Sequence, residues 1–267
     1  MLPPHEVRPH PDGEDPPGGL SAGGPTVPTL GVRGTLTAVA DVAGLIAKGW
    51  PAPLTRLEKV PPRTAAVAGG LGIAVFAVLG TAYAEAKDGG LVPSWFRVLP
   101  VGLNGEGTLP AIFSALLLLA AGWLSFRASA VLGSRSDRFG PLVVLGALFT
   151  FMGLDEVLTI HERLEEVVDL AWWKFYAPLV LVGAIGAVLM LRRIWSHHLV
   201  RAALLGGGGC WFVAQLIETQ QYDGAELVHR WTILPEEVLE MTGSLLFVLA
   251  MLLVVQSVWT ATRSTSP

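Results

Sequence analysis

The sequence predicts an all-α, polytopic helix bundle that crosses a membrane about six times. Of its 267 residues, 52% are hydrophobic and 15% are charged, whereas soluble globular proteins carry about 25% charged residues. The mean hydropathy is +0.54. Several apolar runs reach the roughly 20 helical residues that are needed to cross a hydrocarbon core of about 30 Å. The lipid bilayer is therefore the first expected partner.

Three regions are expected along the chain. Residues 1–34 are rich in Pro and Gly and lack an apolar segment, so they are predicted to be a disordered tail. Residues 35–50 place Leu36 and Ile46 at helical spacing, which is typical of a short amphipathic helix lying on the membrane surface. The six-helix transmembrane domain is predicted over residues 64–260.

Six spans are predicted within this domain, and the third runs into a charged motif. Lys and Arg residues near the span ends are more numerous on one side, so both termini are expected to be cytoplasmic. The net charge of -4 argues against nucleic-acid binding, which needs a basic face. The predicted spans begin at Thr64, Pro110, Pro141, Tyr176, Leu199 and Pro235.

The charged motif LDEVLTIHERLEE, residues 154–166, begins where the third span should still be inside the membrane. From Pro141 near the inner interface, Asp155 lies about 21 Å along a helix and His161 about 30 Å. Glu218 on the fifth span and Glu240 on the sixth are expected at a similar depth, on the extracytoplasmic side. Ionisable groups at such a depth are costly and mark candidate functional sites.

Helical phase groups these side chains further. Glu156 and Arg163 share one face and can neutralise each other. A continuous helix would place a second set on one stripe, namely Asp155, Thr159, Glu162 and Glu166. If the fifth helix continues past Gly224, a third set shares a face, namely Glu218, Tyr222, Glu226 and His229. Glu226 and His229 then form an E-x-x-H pair.

Crowded carboxylates repel one another and must take up protons or share a cation. With one or two imidazoles they suit a divalent metal such as Fe, Mn or Zn. Simpler interpretations also exist: the helix dipole alone favours Glu236 and Glu237 after Pro235, and an interfacial histidine is often only hydrogen-bonded. The candidate acid–base residues are Asp155, Glu156 and Glu218. The candidate metal ligands are Asp155, His161, Glu162, Glu218, Glu226, His229 and Glu240.

Two segments carry a resemblance. LDEVLTIHE and the later EEVLEMTG resemble a pattern of uncharacterised multi-pass membrane proteins of bacteria, and the resemblance covers spans three to six. It implies a location in the bacterial inner membrane and no known activity. The arrangement is also loosely similar to membrane-bound carboxylate di-iron oxidases, which use two E-x-x-H motifs where this chain has one.

Three functions are compatible with these observations. The first is a membrane metalloprotein, either a hydrolase or an oxidase, acting on a lipid-soluble or small extracytoplasmic substrate. The second is a transporter for protons or divalent cations, although the inner halves of spans three and six are apolar. The third is an accessory subunit whose carboxylates are held in ion pairs with Arg163 and Arg230. The sequence does not indicate an oligomeric state.

Overall fold

The computed structural model describes most of the predicted membrane domain. It covers residues 56–90, 108–133, 140–161, 163–164, 172–193, 197–220, 222–223, 226–227 and 232–263. The predicted disordered tail, residues 1–34, and the predicted interfacial helix, residues 35–50, lie outside the described residues and stay predictions.

The described residues form six long helices, which confirms the all-α class. The helices are α1 (Pro62–Asp88), α2 (Leu109–Gly133), α3 (Gly140–Leu158), α4 (Trp172–Arg193), α5 (His198–Glu218) and α6 (Ile233–Arg263). Between α5 and α6, two short strands, β1 (Tyr222–Asp223) and β2 (Glu226–Leu227), pair antiparallel.

Prolines mark the beginnings of the first three helices. Pro62 opens α1, and Pro110 and Pro141 are the second residues of α2 and α3. Proline is well tolerated in the first turn because its missing N–H would have no partner within the helix there. These residues therefore let the sequence predict where the helices begin.

Five of the six described helices are long and apolar enough to cross a membrane: α1, α2, α3, α5 and α6. In α4 the apolar stretch is shorter, Tyr176–Arg192, and would extend about 26 Å at 1.5 Å per residue. The chain is thus a multi-pass membrane protein. The cytoplasmic placement of both termini stays a prediction.

The core lies where α2 and α6 pack side by side, flanked by α3 on one side and α5 on the other. Leu124, Met251 and Leu252 are fully buried there. In contrast, α1 and α5 expose large apolar side chains, such as Val67 at 72% and Phe212 at 65%. Exposed apolar side chains on this scale fit contact with lipid tails rather than with water.

Glycines allow the helices to approach closely. A Cβ atom on Gly207 of α5 would lie 3.0 Å from the Gly243 carbonyl oxygen of α6, and one on Gly243 would lie 2.9 Å from the Gly207 carbonyl oxygen. Gly122 of α2 and Gly146 of α3 make a similar contact. Small residues allow helices to pack closely in membranes, and within the GGGG run at 206–209 it is Gly207 that makes this close contact, in a continuous helix.

A buried ion pair closes one end of the bundle. The Nε atom of Arg127, near the end of α2, donates to Glu58 at 2.6 Å, and Glu58 is buried. Gln256 of α6 donates to the Val60 carbonyl at 3.0 Å. The segment before α1 is therefore bonded to both α2 and α6.

Candidate functional site

The third helix ends inside the charged motif. Thr159 adopts a positive φ of 50° immediately after α3 ends at Leu158, a conformation that is unfavourable for a β-branched residue. Ile160 and His161 are again helical. Asp155 and Thr159 therefore do not lie on one continuous α3 helix; Glu162 and Glu166 lie outside the described residues, so the stripe through them stays a prediction.

Asp155 makes three hydrogen bonds at this break in the helix. Its Oδ1 atom accepts the backbone N–H of His161 at 3.1 Å and the hydroxyl of Tyr176 at 2.6 Å. Its Oδ2 atom lies 2.9 Å from Nδ1 of His161. Tyr176 belongs to α4, so one buried carboxylate caps the turn after α3, orients the imidazole and ties α3 to α4.

A polar ladder runs along the interface between α5 and α6. Gln215 Nε2 donates to Glu240 at 3.3 Å, and one turn deeper Trp211 Nε1 donates to the Ser244 hydroxyl at 3.2 Å. The Ser244 hydroxyl also lies 2.8 Å from the Ser114 hydroxyl of α2, and both serines are buried. Residues four apart on each helix thus face each other in pairs.

The ladder leads into a group of carboxylates at the end of the bundle. Glu240 of α6 is half-buried, and the charges of Glu156, Glu218, Glu236 and Glu237 act on it. These residues come from the end of α3, the end of α5 and the first turns of α6. We call the five residues the glutamate cluster.

The two adjacent acids near the end of α3, Asp155 and Glu156, therefore interact with different helices. Asp155 bonds to α4 through Tyr176, whereas the charge of Glu156 acts on Glu240 of α6. The expected pairing of Glu156 with Arg163 cannot rest on one continuous helical face, because Thr159 lies between them. Of these two neighbouring carboxylates, Asp155 thus belongs to the network with Tyr176, and Glu156 belongs to the glutamate cluster.

The fifth helix does not meet the condition on which the third set of side chains depends, a continuation past Gly224. α5 ends at Glu218, and Glu226 lies in β2, where it pairs with Asp223 of β1. Glu226 and His229 therefore cannot be one helical turn apart on an extension of α5. Gly224 and the residues around it favour a turn over a continued helix.

The predicted metal ligands do not all lie in one group. The charge of Glu218 acts on Glu240, while Asp155 and His161 form the network with Tyr176. Glu162 and His229 lie outside the described residues. Among the described residues, no three His, Cys, Asp or Glu side chains are grouped closely enough to hold a metal ion.

Several polar residues at this end were not predicted as site residues. They share one signal, a hydrogen-bonding side chain within an apolar span, which in membrane proteins is commonly bonded across helices. The missed residues are Ser114, Tyr176, Trp211, Gln215 and Ser244.

A family model described as "Domain of unknown function (DUF8692)" matches residues 64–255. The match covers most of the chain and includes all the residues of the glutamate cluster and of the Asp155 network. No curated protein and no solved structure matches the chain.

Proposed function

The chain belongs to the family of the Domain of unknown function (DUF8692), and from this premise we propose that it is a membrane protein that binds a cation at the glutamate cluster. The proposal is supported by the position of Glu240, which accepts a hydrogen bond from Gln215 between α5 and α6 and is acted on by the charges of acids at the ends of α3 and α5 and the start of α6. Like charges held together at low dielectric repel strongly unless a proton or a metal ion neutralises them.

A divalent metal such as Fe, Mn or Zn suits an oxygen-rich ligand set that includes imidazole. Glu218 and Glu240 would supply oxygen ligands. Since the described side chains do not by themselves form a metal-holding group, the remaining ligands would come from Glu162, Glu226 and His229. The hydrogen bond from Gln215 would orient the Glu240 carboxylate.

The Asp155 network supports a second candidate, a membrane enzyme. A carboxylate bonded to Nδ1 fixes the orientation of an imidazole, and this arrangement is used both in acid–base catalysis and behind metal-bound histidines. Asp155 uses both oxygens in its three bonds, so we assign it a positioning role and assign His161 the role of ligand or proton carrier. With a metal, the reaction class would be hydrolysis or oxidation of a lipid-soluble or small extracytoplasmic substrate.

Elemental analysis of the purified protein tests the proposal. We expect bound Fe, Mn or Zn in the parent protein and its loss in Glu240→Gln, which keeps the side-chain shape and removes the charge. Glu85→Gln is the matched control, because Glu85 is an exposed carboxylate near the end of α1. His161→Ala would lose metal if the imidazole is a ligand.

Protons are the alternative cation, and the same samples distinguish the two. If no metal is present, infrared spectroscopy should detect a protonated carboxyl band that is missing in Glu240→Gln and present in Glu85→Gln. Absence of both the metal and this band from the parent protein would contradict the proposal.

A further inference from the structure

The polar ladder stops abruptly inside the bundle. Its deepest members are Ser114, Ser244 and Trp211. The next turns of α6 toward the opposite end carry Phe247, Met251 and other apolar residues that are buried. The polar surface that begins at the glutamate cluster therefore ends about one turn below Glu240.

An aromatic layer lies directly below the ladder. The rings of Phe149 from α3 and Phe247 from α6 are 4.6 Å apart between centroids, and both residues are buried. On the side of α5, a Cβ on Gly207 would lie 2.7 Å from Phe247. The Phe247 ring therefore lies against Gly207 of α5 and packs on Phe149 of α3, and we call this pair of rings the aromatic septum.

The hydroxyl groups in this region do not extend the ladder. Thr150 donates to the Gly146 carbonyl at 2.8 Å, and Ser125 donates to the Ala121 carbonyl at 2.8 Å. Each bond stays within its own helix. These hydroxyls have therefore used their hydrogens locally and do not connect one end of the bundle to the other.

Along α6, the next polar side chain after Ser244 is Gln256, which bonds to Val60 near the opposite end. Gln256 is twelve residues after Ser244 on α6, which corresponds to about 18 Å along the helix. Between these two residues the buried α6 side chains are apolar in the described structure. A buried water needs two to four polar partners, and a charge in such surroundings is strongly disfavoured.

We propose that the aromatic septum makes the glutamate cluster a dead-end site, which a cation enters and leaves from the same membrane face. The inference rests on the proposed function for the identity of the ligand, while the barrier itself rests only on packing. A site of this kind would serve binding, sensing or catalysis at one face, and the inference predicts no transport across the membrane through this bundle.

Thiol labelling in sealed proteoliposomes tests the barrier without reference to any cation. Cys210 is the only cysteine, so Cys210→Ala gives a background for single cysteines at Gln215, in the ladder, and at Gln256, near the other end. Glu237→Cys is a second ladder-side variant in case Gln215→Cys does not fold. A charged, membrane-impermeant thiol reagent is added to one face at a time.

We expect each cysteine to be labelled from one face only, with the ladder-side and far-end positions labelled from opposite faces. Labelling of the ladder-side cysteine from both faces would overturn the septum. Loss of bound cation in Glu240→Gln is scored separately, so failure of the proposed function would leave this labelling pattern unchanged.

A flux measurement completes the test. Liposomes that contain the parent protein should pass protons and Mn²⁺ no faster than protein-free liposomes, as reported by trapped pH-sensitive and Mn²⁺-quenched dyes. The double variant Phe149→Ala/Phe247→Ala should raise the proton leak, because it removes both rings of the septum. Flux through the parent protein that Glu240→Gln abolishes would overturn the inference.

Discussion

Asp155 holds His161 at two points, through the backbone N–H at 3.1 Å and through Nδ1 of the ring at 2.9 Å. A single side chain thus sets both the path of the chain after α3 and the orientation of the imidazole. The same carboxylate accepts the Tyr176 hydroxyl, so the end of α3 and the beginning of α4 are fixed together.

Replacement of Asp155 by Asn should destabilise the protein by about 1.5–3 kcal/mol, the usual contribution of a hydrogen bond to a charged group. The amide has one acceptor oxygen and cannot serve all three donors. Thermal unfolding in detergent measures the loss, with Glu156→Gln as the control on the neighbouring carboxylate. Equal unfolding temperatures for the two variants would contradict the assigned network.

Replacement of Tyr176 by Phe removes one bond of this network and keeps the ring. The ring contact with Phe151, 5.5 Å between centroids, should survive. We expect a loss of about 1–3 kcal/mol, because the buried Asp155 oxygen loses a donor. Phe151→Leu is the complementary control, which weakens the ring contact and keeps the hydroxyl bond. If Tyr176→Phe unfolds at the same temperature as the parent protein, the bond does not contribute.

The glycine run provides a matched pair of substitutions. Gly207→Ala should cost about 1–3 kcal/mol because the new methyl group overpacks the contact with Gly243 and Phe247. A Cβ atom on Gly208 would meet no neighbouring helix within 4 Å, so Gly208→Ala should be neutral or stabilising by up to about 1 kcal/mol through helix propensity. Gly208→Ala should therefore unfold at a higher temperature than Gly207→Ala. The reverse order would contradict the close packing assigned to Gly207.

The ion pair at the opposite end predicts a larger effect. Glu58→Ala leaves the Arg127 guanidinium without its carboxylate, and loss of one partner of a buried pair costs about 3–5 kcal/mol. We expect the lower end of this range because the Arg127 side chain is 21% exposed. Lys59→Ala, at the exposed neighbouring position, is the control. The double variant Glu58→Met/Arg127→Met should recover much of the loss, and no recovery would argue against an unpaired charge as the cause.

The helices could be predicted from the sequence because their signals are local. Apolar runs of membrane length and the prolines at 62, 110 and 141 are read directly from the chain. The similar depth of Glu218 and Glu240 follows from helical rise alone, and the hydrogen bond from Gln215, three residues before Glu218, to Glu240 agrees with it.

The connections between helices could not be predicted in the same way. The break at Thr159 depends on the bonds that Asp155 makes to His161 and to Tyr176 of α4, which are tertiary contacts. Similarly, the turn after Glu218 replaces a helix that the spacing of charged residues had suggested. Helical periodicity predicts side-chain positions only while the helix continues. After a residue that breaks the helix, the predicted position of every later side chain is wrong.

The central claim is that carboxylates from different helices interact at one end of the bundle, and a double-mutant cycle between Glu218 and Glu240 tests it most directly. The unfolding free energy is measured in metal-free buffer for Glu218→Gln, Glu240→Gln and the double variant, with Glu85→Gln/Glu240→Gln as the distant control. The account predicts a coupling of about 0.5–3 kcal/mol for the first pair, because removal of either charge relieves the same repulsion, and additive effects for the control. Additive effects at Glu218 and Glu240 would contradict it.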